Sequence, residues 1–106
     1  LNHQKMEAAV MIRVVANNYF KEEDVEKIMP YLKALADGSR TDEGNISYNL
    51  YVNPKDKGNI VMIEEWESPD NLKPHGAKEH FTKNVAALNE YKQKDGTIQV
   101  LIPLDI

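Results

Sequence analysis

Residues 61–69 place a carboxylate and the chain's only tryptophan two positions apart, near the end of a predicted strand. Residues two apart in an extended chain share a face, so Met62, Glu64 and Trp66 line one surface. A carboxylate among apolar neighbours is costly to dehydrate unless it is paired, hydrogen-bonded or protonated. Glu64 could therefore pair with a histidine, cap a helix end, or act as a base with a raised pKa.

Two histidines follow in the next predicted helix, His75 and His80. A separation of five residues is about 140° around a helix, so they cannot form the i, i+4 pair of a helical metal site. The sequence therefore predicts no metal. Because Pro74 and Gly76 disturb the backbone around them, both imidazoles could still converge on one pocket. His80, beside the core residue Phe81, is the stronger candidate for a pocket imidazole.

An asparagine pair closes the first predicted strand, and only one of the two can face the helices. Asn18 continues the face of Val14 and Ala16, whereas Asn17 points to the other side. An amide at that place could stabilise a substrate oxygen as it gains negative charge. The alternative is an edge asparagine bonded to backbone.

Large side chains on the same face form the predicted substrate-binding set. Each has a structural alternative: the tryptophan could be a core anchor, and the tyrosine could simply pack within the sheet. The expected pocket lining is Trp66, Met62, Phe81, Leu32 and Tyr48.

Composition restricts the class of protein. The chain has 106 residues, 42% of them hydrophobic, and a formal net charge of -4, which argues against binding to a phosphate backbone. It has no cysteine, so thiolate chemistry and disulfides are excluded. It shows no apolar run of membrane-spanning length, and we expect a cytoplasmic protein. Residues 1–9 are interpreted as a non-native or disordered N-terminus, and residues 10–106 as a single domain.

The first half of the chain predicts a strand, a helix and a second strand. Residues 10–20 are rich in β-branched side chains, whereas the apolar residues from Glu22 onward recur at helical spacing. Gly38 is placed to end that helix, and Pro30 should bend it unless the regular helix begins nearer Glu26. Residues 45–53 then alternate as a strand.

The second half predicts a hairpin, a broken helix and a last strand. A polar link over residues 54–59 turns the chain into a strand over residues 60–67. Ser68 and Pro69 start a helix, which the next proline and glycine should break beside His75 before a longer helix over residues 77–91. Asp95 and Gly96 should form a turn, and the last strand should run over residues 98–106.

The order β-α-β-β-α-β is typical of the ferredoxin-like α+β fold, in which a four-stranded antiparallel sheet carries both helices on one face. The other face would expose a large apolar patch in water. We therefore expect a second copy of the chain to cover it, giving a homodimer.

Several of these features occur together in a known family. The run Glu43-Gly44-Asn45, the segment of residues 61–68, and the following Leu72, His75 and His80-Phe81 resemble the antibiotic biosynthesis monooxygenase domain, including small quinol monooxygenases. The resemblance covers residues 11–106. It implies a dimeric α+β barrel whose pocket lies between each sheet and its own helices. It also implies oxygenation of a phenol or quinol without flavin, haem or metal.

The mechanism that follows from this resemblance begins with a small phenolic or quinol substrate in the apolar pocket. His80 or Glu64 would remove its hydroxyl proton, and Asn18 would steady the resulting oxyanion. That electron-rich anion would reduce molecular oxygen directly. Two alternatives remain open: a haem-binding or haem-degrading protein of the same fold, and a non-oxidative isomerase or metabolite-binding dimer.

Overall fold

Within residues 10–106, four strands and three α-helices follow one another. The computed structural model describes residues 10–106, so the interpretation of residues 1–9 lies outside the described residues. Two short 3₁₀ turns, Glu22–Asp24 and Pro69–Asn71, precede the first and second helices. The elements are β1 (Ile12–Phe20), α1 (Val25–Ser39), β2 (Asn45–Asn53), β3 (Asp56–Trp66), α2 (Leu72–Ala77), α3 (Glu79–Asn89) and β4 (Lys92–Leu101).

The strands form one antiparallel sheet in the order β2-β3-β1-β4, which confirms the ferredoxin-like prediction. Val14 of β1 lies opposite Glu64 of β3, and Tyr48 of β2 lies opposite Glu64 on the other side. The register therefore brings inward-facing residues of three strands together around Glu64.

The hydrophobic core lies between one face of this sheet and the helices. Alternate residues of β1 and β3 point into it, and α1 contributes residues at helical spacing. Its most completely buried large side chain is Trp66. The buried apolar residues are Ile12, Val14, Ala16, Phe20, Ile28, Leu32, Leu35, Ala36, Tyr48, Ile60, Met62, Trp66 and Leu88.

The first helix differs from its prediction at its C-terminal end. It begins at Val25 and continues through Pro30 and Gly38 to Ser39, so Gly38 does not end it. Gly38 is required for a different reason: a Cβ atom there would collide with the ring of His80. None of the helices within residues 10–106 is long and apolar enough to cross a membrane.

The second helical region breaks later than predicted. Ser68 is the expected N-cap, accepting a hydrogen bond from the backbone N–H of Asp70. Helix α2 then continues through Pro74 and Gly76, and the break falls at Lys78, which is extended. Pro74 is tolerated because it lies in the first turn of α2, where backbone N–H groups have no helical partner.

Two predicted links are strand instead. Only the start of the segment 54–59 is a turn, and β3 begins at Asp56, with Gly58 packed against the backbone of Phe20. Gly96 does not make a turn either. It lies within β4 against the carbonyl oxygen of Asn17, where the register of β1 and β4 shifts. Glycine fits both places because the neighbouring backbone leaves no room for a side chain.

The last strand ends sooner than predicted. Its final pair joins Leu101 to Arg13, near the start of β1, and beyond that point β1 offers it no partner. The predicted extension to Ile106 is therefore wrong. The apolar side chains of Ile102 and Leu104 are exposed there.

Replacing Gly58 by alanine should destabilise the fold. The new methyl group would collide with the carbonyl oxygen of Phe20, and overpacking of this kind costs about 1–3 kcal/mol. Gly76→Ala is the matched control, because a Cβ there meets no atom within 4 Å and alanine is favoured in a helix by up to about 1 kcal/mol. Urea unfolding of both variants measures the change in the free energy of unfolding. Equal free energies of unfolding for the two variants would contradict the packing at Gly58.

Candidate active site

The inward face of β3 carries the group that the sequence singled out. Met62, Glu64 and Trp66 are all buried on the helix side, with residue exposures of 6%, 5% and 0%. The prediction that they share one face is confirmed. The carboxylate of Glu64 therefore lies inside the protein.

Glu64 is satisfied by its neighbour on the strand rather than by a histidine. The indole Nε1–H of Trp66 donates a hydrogen bond to Glu64 Oε1 at 2.9 Å. Burial raises the pKa of Glu64, and this single hydrogen bond only partly opposes that effect. Glu64 is thus held in place and shifted toward its neutral form.

A cavity of about 320 Å³ opens between the inward face of the sheet and the helices α2 and α3. We call it the inner cavity. Its walls are mainly apolar, as in most small-molecule sites. It is lined by six of the predicted site residues: Asn18, Tyr48, Met62, Glu64, His75 and Phe81.

Three other predicted residues are not among those that line the inner cavity. Trp66 is fully buried behind it and acts as a core anchor. Leu32 is buried in α1 and lines a separate open groove beside β2. His80 lies outside the lining as well, so the imidazole that reaches the inner cavity is that of His75.

Two polar side chains of the cavity wall converge on the sulfur of Met62. The hydroxyl of Tyr48 lies 3.3 Å from Met62 Sδ, and the amide Nδ2 of Asn18 lies 3.9 Å from it. Asn18 Nδ2 is also 3.5 Å from the carbonyl oxygen of Ile60. Thioether sulfur is a weak acceptor, so both donors can turn to a better one.

The Tyr48 hydroxyl stays protonated. Burial is the largest reason that its pKa lies well above the ordinary value, and the nearby Glu64 carboxylate adds to the effect. Tyr48 can therefore donate a hydrogen bond in the inner cavity but does not serve as a base.

The two histidines meet on a residue that the sequence did not single out. His75 Nδ1 lies 2.7 Å from Asp42 Oδ2, and His80 Nε2 lies 2.9 Å from the same oxygen. The side chain of Asp42 is only 5% exposed. Although burial favours its neutral form, hydrogen bonds from both histidines hold the pKa of Asp42 below its usual value.

The loop after α1 places Asp42 at this position. The backbone N–H of Asp42 donates to Ser39, and the N–H of Asn45 donates to Asp42. Gly44 adopts a left-handed conformation with φ of 82°, and its carbonyl oxygen accepts the N–H of Glu67 at 2.8 Å. The end of β3 therefore fixes the loop that carries the carboxylate.

The imidazole of His75 packs against two aromatic rings. Its centroid is 4.6 Å from that of Trp66 and 5.0 Å from that of Phe81, which it meets edge to face. These contacts and the bond to Asp42 restrict both the position and the rotation of the ring. His75 is itself 5% exposed.

The helical spacing argument failed at the point where the helix breaks. His75 belongs to α2 and His80 to α3, and the extended residue Lys78 between them redirects the chain. Their ring nitrogens and the Asp42 carboxylate lie within 4.8 Å of one another. Each nitrogen lies within hydrogen-bonding distance of the same carboxylate oxygen, so the three side chains form a hydrogen-bond network.

Comparison with known proteins gives the family. The model of the antibiotic biosynthesis monooxygenase family matches residues 11–87. A Bacillus subtilis (strain 168) protein named "Putative monooxygenase YcnE" is 32% identical over 76 residues, which are 72% of this chain and 80% of that protein. The chain belongs to the antibiotic biosynthesis monooxygenase family.

Solved structures of similar proteins have the same fold. An antibiotic biosynthesis monooxygenase crystal structure superposes with a TM-score of 0.84 at 32% identity, covering 88% of this chain and 98% of that one. A conserved Methanosarcina mazei Go1 protein gives a TM-score of 0.85 at 29% identity, covering 94% and 99%. Rv0793 from Mycobacterium tuberculosis gives 0.81 at 25% identity, covering 91% and 97%.

Glu64→Gln should change how stability depends on pH. Because the pKa of Glu64 in the folded protein lies above its ordinary value of 4.5, the folded protein holds this proton more tightly than the unfolded chain. The free energy of unfolding therefore falls as pH rises from about 4.5 to the folded pKa, by up to about 1.4 kcal/mol per pH unit. Glutamine keeps an acceptor for Trp66 and loses this dependence.

Urea unfolding from pH 4 to pH 8 measures the effect of that substitution. The stability of Glu64→Gln relative to the parent chain should improve as pH rises above about 4.5 and should level off above the folded pKa of Glu64. Glu67→Gln, at an exposed position next to the same strand end, is the control and should show no such trend. Parallel pH curves for the parent chain and Glu64→Gln would contradict a raised pKa at Glu64.

Proposed function

We propose that this protein is a cofactor-independent monooxygenase that oxidises a small phenolic or quinol substrate with molecular oxygen. The observation that carries the proposal is the inner cavity itself. It is an apolar space in which a neutral-leaning carboxyl group, an amide and an imidazole face a common volume: those of Glu64, Asn18 and His75. A site of this kind suits an aromatic ring with one or two hydroxyl groups.

Deprotonation would begin the reaction. A phenol is a poor reductant of oxygen, whereas its phenolate is electron-rich, so removing the hydroxyl proton starts electron transfer. Asn18 is placed to donate a hydrogen bond to the developing oxyanion, because its present acceptors are a distant carbonyl and a sulfur. The sequence left the base open among His75, His80 and Glu64.

Oxygen would then react with the bound phenolate without a protein cofactor. One electron passes from the substrate to oxygen, the resulting radical pair combines to form a carbon–oxygen bond, and the peroxide loses water. For a phenol with a free ring position, one oxygen atom enters the ring as a quinone carbonyl. The other leaves as water with two hydrogens from the substrate. The apolar walls would exclude bulk water from these intermediates.

Oxygen consumption by chelator-treated protein is the direct test. With a panel of quinols and hydroxynaphthalenes, we expect uptake of one oxygen molecule per product and incorporation of one labelled atom from ¹⁸O₂. Asn18→Ala should lower kcat by about 10²–10³-fold, as removal of an oxyanion donor does. Asn49→Ala is the control, since Asn49 is exposed on β2 and is not a lining residue of the inner cavity.

Oxygen consumption separates this proposal from the non-oxidative alternative. An isomerase or a metabolite-binding protein would consume no oxygen with any member of the panel, and that result would leave only the family and the fold. The geometry argues against His80 as the haem ligand. His80 Nε2, the nitrogen that an iron would need, already faces Asp42.

We also propose that the protein is a homodimer. The face of the sheet opposite the helices carries Val15, Val61 and Ile63, which are only half-buried in the single chain. Tyr51 on the same face is 51% exposed. A second copy placed against this face would remove the apolar patch from water.

Sedimentation equilibrium tests the dimer. We expect a mass of twice 12.1 kDa for the parent chain and dissociation to 12.1 kDa for Ile63→Asp, because a charge at the centre of the face would have to be buried. Lys83→Asp, at an exposed position on α3, is the control and should remain dimeric. A monomer at every concentration of the parent chain would refute the proposal.

A further inference from the structure

We infer that Asp42 and His75 act as a dyad in which His75 is the catalytic base of the inner cavity and Asp42 is the residue that positions it. This rests on the proposed function for the reaction that it serves. It assigns the base, and it adds a residue to the site. The geometry behind it is one carboxylate oxygen that lies 2.7 Å from His75 Nδ1 and 2.9 Å from His80 Nε2.

The chemistry of a carboxylate fixes where the ring protons are. An ionised carboxylate only accepts hydrogen bonds, so each nitrogen directed at it must carry a hydrogen. The two histidine bonds favour the ionised form of Asp42. His75 therefore holds its proton on Nδ1, and His80 holds its proton on Nε2. In a neutral His75 ring, the lone pair is left on Nε2.

The same geometry directs that lone pair to the inner cavity. His75 lines the cavity, whereas Asp42 is not a lining residue and approaches the ring from its Nδ1 side. Trp66 and Phe81 pack against the ring as well, with centroids 4.6 Å and 5.0 Å from that of His75. Nε2 lies on the other side of the ring from Nδ1, so it is the nitrogen left to face a bound hydroxyl group.

The other two candidates fit the role of base less well. Glu64 already accepts the indole N–H of Trp66, and its burial favours the protonated form, which is not a base. His80 directs Nε2 at Asp42 and is not a lining residue of the inner cavity. His80 instead supplies a second donor that keeps the Asp42 carboxylate ionised and oriented.

Gly38 makes the contribution of His80 possible. Any side chain at that position of α1 would collide with the His80 ring, so the glycine lets α1 and α3 approach until His80 reaches Asp42. The resulting network joins α1, the loop after it, α2 and α3. His75 is therefore held by Asp42, Trp66 and Phe81 before a substrate binds. Such preorganisation places a base correctly for proton transfer.

The proton transfer involves no change of oxidation state. The substrate O–H bond breaks, its proton forms a bond to His75 Nε2, and the electron pair remains on the phenolate oxygen. The imidazolium keeps its Nδ1–H bond to Asp42, so the new positive charge lies beside a negative one. The phenolate is then available to molecular oxygen, which is the oxidant of the proposed reaction.

Nitrogen NMR tests the tautomer without any need for turnover. The chain has three histidines, and in ¹⁵N-histidine-labelled protein the His75→Gln and His80→Gln variants assign the two ring spectra. We expect neutral His75 to be protonated on Nδ1 and bare on Nε2, and the Asp42→Asn variant to lose that preference. A parent protein with neutral His75 protonated on Nε2 would overturn the dyad.

Ionisation of a bound phenol tests the base independently of oxygenation. We propose anaerobic titration with 4-nitrophenol, whose phenolate absorbs visible light, at a pH where the free probe is mainly un-ionised. Asp42→Asn should reduce ionisation of the bound probe at least about tenfold, because the carboxylate no longer stabilises the imidazolium. His75→Gln should abolish it, and His80→Gln should retain most of it. Glu43→Gln, at the exposed neighbouring carboxylate, is the matched control and should behave as the parent protein.

The outcomes separate the dyad from the oxygenase. If His75→Gln ionises the bound probe as well as the parent protein does, the dyad is wrong. The dyad is also wrong if Asp42→Asn ionises the bound probe as well as the parent protein does and unfolds at the same temperature. If the tautomer and the ionisation behave as expected but no quinol consumes oxygen, the dyad stands and the proposed oxygenation fails.

Discussion

The site depends on one carboxylate oxygen that two imidazoles share. Asp42 comes from the loop after α1, His75 from α2 and His80 from α3, and no two of them are joined by regular secondary structure. Charge-assisted hydrogen bonds of this length are among the stronger ones in proteins, and a buried carboxylate without partners would be costly. The carboxylate and the histidines therefore stabilise each other, and the loop and helices that carry them are fixed as a result.

A second buried acid, Glu64, lines the cavity on the side of the sheet. Glu64 has a single indole donor, whereas Asp42 has two imidazole donors. The pKa of Glu64 is raised by burial, and that of Asp42 is lowered by its partners. Two acids in one small domain are thus separated into a neutral-leaning group and an ionised one, which is a common basis for acid–base assignments.

Much of the fold could be predicted from the sequence because its patterns are local. Strict alternation gave β2 and the inward face of β3, and the Ser68-Pro69 pair marked the start of the second helical region. Two of the errors fell at glycines whose role is set by a residue that is distant in sequence. Gly38 was predicted to end a helix but is required by the ring of His80, and Gly96 was predicted to turn the chain but is required by the backbone of Asn17.

The lining of the site was predictable where a local pattern along the chain sets the direction of a side chain. Alternation along β3 placed Met62 and Glu64 correctly on the cavity wall. Asp42 was missed because nothing local separates it from its exposed neighbour Glu43; its role arises only when helices distant in sequence fold against the loop. The helical spacing of the two histidines argued against a shared position, whereas the expected break in the helix left their convergence open; the extended residue Lys78 supplies that break.

The central claim is that Asp42 is ionised and accepts a hydrogen from each histidine, which leaves the cavity-facing nitrogen of His75 bare. Neutron diffraction from a deuterium-exchanged crystal grown near neutral pH observes those hydrogens directly. The account predicts deuterium on His75 Nδ1 and on His80 Nε2, with none on Asp42 and none on His75 Nε2. Deuterium on the Asp42 carboxyl group, or on His75 Nε2 in place of Nδ1, would contradict it.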